Sequence, residues 1–145
     1  MTPITRIRKE VATIANRINR KLDDLAAAFR RAWQIVKGRI LVSKVAGVLQ
    51  GTRQRALRKL AQYGKGMVNA RLERETANAY DGNAVKVMIS VGSGAEYHMG
   101  YVPRDLAAAV APLLDKGIEL AARFRGVTGG TFDKMNYGAL IEISL

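Results

Sequence analysis

The sequence predicts an α+β chain: one long amphipathic helix, then a body of six short strands with two short helices set among them. Two observations carry this. Residues 4 to 37 contain neither Gly nor Pro, and their apolar residues recur every three or four positions. After Gly38 the period shortens, and β-branched residues alternate in short runs bounded by Gly, Asn and Asp. The 145 residues suit one domain with an appendage, so the reading is a basic amphipathic helix over 1–39 and a domain over 40–145.

The helix is marked by Ile4, Ile7, Val11, Ile14, Ile18, Leu22, Leu25, Phe29, Trp33 and Val36, whose spacing averages close to the 3.6-residue turn. Pro3 fits just inside its start and Gly38 just past its end. At about 1.5 Å per residue it is on the order of 50 Å long. A body of the remaining size has a radius of gyration of only about 13 Å. The helix must therefore overhang, and its apolar stripe needs cover from another protomer, a partner or a bend. Arg17, Arg20, Lys21, Arg30 and Arg31 on its polar side are candidates for contact with nucleic acid or another acidic partner.

Each later element has its own signal. Residues 40–49 are β-branched and apolar and read as a strand. Residues 52–63 read as a short basic helix, with Leu57, Leu60 and Ala61 inward and Gly64 ending it. Alternation predicts strands over 67–75 and 85–91, and GSG at 92–94 predicts a hairpin turn into a strand at 96–102. Between the first two of these, TANAYDGN (76–83) is turn chemistry, because Asn, Asp and Gly tolerate positive φ and bond their own backbone. Pro103 and Gly117 bracket a second short helix with Leu106, Val110, Leu113 and Leu114 inward, and Pro112 predicts a kink or early stop. Residues 118–127 and 137–145 read as the last strands, joined through Gly129 and Gly130.

Composition excludes several chemistries. With no cysteine there is no disulfide framework, thiolate metal cage or cysteine nucleophile. The only histidine, His98, has no companion ligand, so neither a metal site nor a Ser/His/acid set is proposed. Asp81, Asp105 and Asp115 lack the spacing of a two-metal centre, and the Gly pairs lack that of a phosphate loop. The expectation is a protein that is not an enzyme and carries no cofactor. No apolar run reaches the roughly 18–20 residues that span a bilayer, and no cleavage site follows the basic N-terminus, so a cytoplasmic protein is expected.

The net charge of +12 is unevenly placed: +7 in residues 1–40, +6 in 41–75 and −1 in 76–145. Such a split suits a face for a polyanion, with nucleic acid the first candidate and an anionic membrane the second. Against the membrane, the helix stripe is mostly Ile, Val and Leu at core-like spacing, and Asp23-Asp24 interrupts the basic face.

Five pieces of the body occur in the order of a known family: VAGVLQGTRQ (45–54), LERE (72–75), NAYDGNAVKV (78–87), GYVPRDLAAAVAPLLDKG (100–117) and YGALIEISL (137–145). In these the body, from about 41 to 145, resembles the HIRAN domain family in its stand-alone bacterial form. The resemblance implies a small, OB-like, six-stranded β-barrel with two short helices. It also implies single-stranded DNA as partner, held at its free 3′-hydroxyl end, since the best understood members bind such ends beside helicases that remodel stalled forks. DNA repair, replication or mobile-element processing follows as the setting.

By the same resemblance, Asp81 matches the acid of the end-binding turn, Tyr80 the aromatic that stacks on a terminal base, and Arg104 a cation that holds a phosphate. Tyr101 borders that pocket. The chemistry is coherent: a carboxylate accepts a hydrogen bond from a terminal hydroxyl and repels a strand that continues into another phosphate. Where helicase members carry a basic-aromatic pair, this chain has Leu49-Gln50. Arg53, Arg55, Arg58 and Lys59, with Lys65, are candidates for backbone phosphates. Plainer readings stand beside these: a tight turn needs Asn78, Asp81, Gly82 and Asn83 for itself, Tyr80 serves equally as a barrel plug, and basic helix faces are often merely solvated. A second role also stands open, a structural or adaptor subunit of a nucleoprotein assembly that docks, or self-associates, through the N-terminal helix.

Overall fold

The structure is a computed structural model that describes residues 2–145, and the side chains of these other than 10, 14, 15, 17–19, 22 and 65. Ile14, Arg17, Ile18, Leu22 and Lys65, named above for their side chains, fall outside that description. The elements run α1 (Pro3–Val36), β1 (Leu41–Lys44), α2 (Arg53–Leu60), a single 3-10 turn (Lys65–Met67), β2 (Val68–Arg74), β3 (Val85–Val91), β4 (Tyr97–Tyr101), α3 (Arg104–Asp115), β5 (Ala121–Thr128) and β6 (Gly138–Ser144). No helix among the described residues is long and apolar enough to cross a membrane.

The six strands form one antiparallel sheet in the order β1-β6-β5-β2-β3-β4. Alternation sends Val85, Val87 and Ile89 of β3 and Ala139, Ile141 and Ile143 of β6 to its concave side, where they meet Leu57 of α2, Met99 and Val110. Irregular registers at Val87/Met88 and Phe124/Gly126 add twist and curl the sheet. The curling stops short of the expected barrel, and the sheet is a half-barrel. Among the described residues its two edges meet at one pair only, Ala46 just past β1 with Tyr101 of β4, bonded in both directions at 2.7 and 2.9 Å. Beyond that pair the chain turns away on each side, at Gly47 (φ +77°) and at Pro103, so no further rungs form. Glycine is required at position 100 for this approach, since a Cβ there would run into the Ala46 carbonyl.

Other expectations need correcting. The strand read over 40–49 is regular only over Leu41–Lys44, because Gly47 and Gly51 at positive φ turn the chain into α2. Ala61 caps α2 and is exposed, leaving Leu57 and Leu60 as its buried residues. α3 continues through Pro112 to Asp115, with Pro112 on the exposed side of its last turn. The 76–83 turn uses no positive φ and closes through its own Asn and Asp side chains.

The largest correction concerns α1. It packs on α3 through Ala28 and Ile35, both buried, with the half-buried Ala32 beside them. The apolar stripe marked in the sequence is a different face. Ile4, Ile7, Val11, Leu25, Phe29, Trp33 and Val36 are all exposed. At 3.6 residues per turn, the stripe and the packed face lie roughly a quarter turn apart.

Candidate nucleic-acid interface

The β2–β3 connection is built by its own polar side chains. Asn78 Oδ1 accepts from the backbone N–H groups of Tyr80 (2.8 Å) and Asp81 (2.9 Å), and Asp81 Oδ1 accepts from that of Asn83 (2.9 Å). Arg74 ties down the ends of this connection. It donates to the carbonyls of Glu75 (3.1 Å), Gly82 (2.6 Å) and Ala84 (3.0 Å), while its Nε reaches Asp115 Oδ1 at 3.0 Å. The tip residue Tyr80 is thereby presented to solvent, 91% exposed.

A cleft of about 570 Å³ opens between this turn, the end of β4 and the start of α3. Tyr80, Asp81, Tyr101 and Arg104 all line it, together with Gln50, Glu75 and Asn78. The four residues that the family resemblance marked therefore meet around one space. Arg104 is the first residue of α3, is exposed, and has no ion-pair or hydrogen-bond partner among the described residues. Asp81 Oδ2 is likewise without a partner among the described residues. The cleft thus offers an aromatic face, a carboxylate oxygen and a guanidinium at a helix start, where backbone N–H groups favour an anion.

Its floor is a network that the sequence did not announce. Tyr101 donates to Glu75 Oε2 at 2.9 Å, Asn78 donates to Oε1 at 3.2 Å, and Lys86 Nζ lies 3.7 Å away. Desolvation alone would raise the Glu75 pKa. The hydrogen bonds from Tyr101 and Asn78, with the charge of Lys86, outweigh it and hold the carboxyl below its ordinary range. Tyr101 is pushed up in turn, by desolvation and by its bond to Glu75. Only the sequence separation of Glu75 from Tyr101 hid this pair, since LERE itself reads as a strand end. The His98 ring stands edge-on to Tyr101, 4.9 Å between centroids, and is pushed toward its neutral form by desolvation and by Arg53.

The basic residues of α2 are placed differently. Arg53 is half-buried and its guanidinium is engaged by the Gly47 carbonyl (2.8 Å), the His98 carbonyl (3.3 Å) and, at 3.5 Å, Gln50 Oε1. Arg55, Arg58 and Lys59 are exposed and do not line the cleft. They follow directly on the 47–52 turn, whose Gln50 does. Leu49 is exposed there. The β5–β6 loop belongs to the same region, because Gln54 bonds the Val48 carbonyl (3.1 Å) and both backbone groups of Tyr137 (2.8 Å each). That loop carries Phe132 and Met135, 98% and 82% exposed, which no periodic signal had marked.

On its far side the turn faces α1. A second cleft, of about 450 Å³, is lined by Asp24 and Arg31 of α1 with Asp81, Asn83, Arg104 and Asp105. Arg31 is held there by Asp105, 3.3 Å to its carboxylate and to its carbonyl. Asp81 and Arg104 are common to both spaces. Among the described residues no group of three or more His, Cys, Asp or Glu side chains is placed to hold a metal ion.

Residues 43–142 match the model of the HIRAN domain, which takes in the whole cleft. The chain belongs to the HIRAN family. A HIRAN domain implies a nucleic-acid partner, in general single-stranded DNA. α1 lies outside the matched residues. Among solved structures, a protein from Lactobacillus plantarum is similar at 21% identity and a TM-score of 0.43, over 74% of this chain and 100% of that one. No curated protein matches the chain.

Proposed function

We propose that this HIRAN chain is a binding module without catalytic activity, and that it holds single-stranded DNA by a 3′-hydroxyl end during repair, replication or mobile-element processing. The observation that supports this reading best is the meeting of Tyr80, Asp81, Tyr101 and Arg104 around one cleft. Tyr80 would stack on the terminal base, a contact that tolerates any sequence. Asp81, through the oxygen left over from its turn bond, would accept the terminal hydroxyl, and Arg104 would pair with the preceding phosphate. Phe132, almost fully exposed on the β5–β6 loop, is a second ring open to a base, which Leu49-Gln50 does not supply.

The test is fluorescence anisotropy with short single strands ending in 3′-hydroxyl or 3′-phosphate, over a salt series. Tighter binding of the hydroxyl end, persisting as salt rises, is expected. Tyr80→Ala should weaken both strands by about 1–3 kcal/mol. Asp81→Asn keeps an oxygen for the Asn83 N–H and should abolish the preference. Equal binding of the two strands by the unaltered protein would overturn end recognition. The adaptor role draws on one observation, the uncovered stripe of α1. Salt-sensitive binding of any nucleic acid, blind to ends, would select it.

A further inference from the structure

We propose that α1 pairs with α1 of a second copy of this chain, antiparallel, its slim N-terminal half seated in the groove between α1 and α3 of the partner. The uncovered stripe consists of seven side chains, Ile4, Ile7, Val11, Leu25, Phe29, Trp33 and Val36, each 43% exposed or more. At on the order of 100 Å² apiece they offer roughly 700 Å², against about 800 Å² per partner in a standard interface.

Its shape selects the occupant. Towards the C-terminal end of α1 the stripe borders a concave groove of about 340 Å³, floored by Ala28, Ala32, Ala108 and Ala109 and flanked by Phe29 and Trp33. Small residues at the bottom and rings at the rim make a trough for a helix edge, whereas a bilayer would need a flat or convex face. The N-terminal half of the same helix carries a narrow edge of that kind, Ile4, Ile7 and Val11 at three-four spacing and all exposed. A two-fold axis near residue 20 sets Ile4 opposite Val36, Ile7 opposite Trp33 and Val11 opposite Phe29, with an aliphatic side chain against a ring in the last two pairs. The pairing is its own mirror under the two-fold, as an isologous contact requires. It also covers the overhang of a helix about 50 Å long.

Sedimentation equilibrium of the full chain over a concentration series should give twice the 15.8 kDa of one copy at the upper end. Phe29→Asp in the groove and Ile7→Asp at the far end of the helix should each return the single-copy mass. Both sites are exposed, so circular dichroism should be unchanged. The chain has no cysteine, which makes the orientation readable. A mixture of Ile4→Cys and Val36→Cys proteins should cross-link on oxidation, and neither should link to itself. A single-copy mass at every concentration overturns the proposal, as does self-linking of Ile4→Cys, which reports a parallel pair. Pelleting of a single-copy protein with phosphatidylserine vesicles also overturns it, by naming lipid as the cover. Phe29→Asp should keep its preference among DNA ends, which separates this test from that of the cleft.

Discussion

Glu75 is the residue on which the floor of the cleft turns. Its carboxylate takes hydrogen bonds from Tyr101 and Asn78 and faces Lys86, and its pKa stays below the ordinary range in spite of desolvation. In the window just below that ordinary value, about 4.3, the unfolded chain binds the proton more readily than the folded one. Stability therefore rises with pH across the window, is fully present above it, and is lost as pH falls through the folded value. Glu75→Gln keeps an acceptor for Tyr101 and loses the charge. The substituted protein should be less stable in urea at neutral pH, and the gap should narrow as pH falls below the ordinary carboxylate range. A gap independent of pH would mean that the carboxylate is not held charged by its neighbours. Nothing in LERE singles out this glutamate from Glu73 two residues earlier. Tyr80, Asp81, Tyr101 and Arg104 could be marked because short motifs carried them, whereas the role of Glu75 arises only when β2 and β4 are folded together.

The elements around the cleft depend on Arg74 in the same way. Its guanidinium bonds three carbonyls of the β2–β3 connection and joins that connection to the end of α3 through Asp115. Arg74 is only 17% exposed, so methionine there fills the space and leaves the Glu75 and Gly82 carbonyls without this donor, while the Ala84 carbonyl keeps the Glu75 N–H. Arg74→Met should cost about 2–3 kcal/mol in denaturant unfolding. Asp115→Asn, at an exposed helix end, should cost less than about 1 kcal/mol. Strand binding should fall in the first variant and hold in the second. Element boundaries show where periodicity stops informing. It marks 4, 7, 11, 25, 29, 33 and 36 as one face of α1, but the face that packs is the quieter one of Ala28, Ala32 and Ile35, chosen by the small residues of α3. The 76–83 turn was readable as a turn. That it closes without positive φ depends on Asn78 and Asp81 reaching their own backbone, which composition does not specify.

At the scale of the molecule, the charge split of the sequence becomes a question of distance from the cleft. The residues around the cleft are nearly balanced, with Asp81 and Glu75 against Arg104, so the end recognition proposed there would owe little to net charge. The excess of Lys and Arg sits on α1 and α2 instead. α2 follows the turn whose Gln50 lines the cleft, so a strand leaving over that rim meets the exposed Arg55, Arg58 and Lys59. Each phosphate contact on a single strand adds about 0.7 to the slope of log K against log salt. Replacing all three with Gln should flatten that slope by about 2 if each holds a phosphate. The ratio of 3′-hydroxyl to 3′-phosphate binding should not move, because that ratio belongs to the cleft. An unchanged slope would mean that the strand leaves by another route. The strand would then run along the side bounded by Arg31 and Arg104, and Arg31→Gln should flatten the slope by about 0.7.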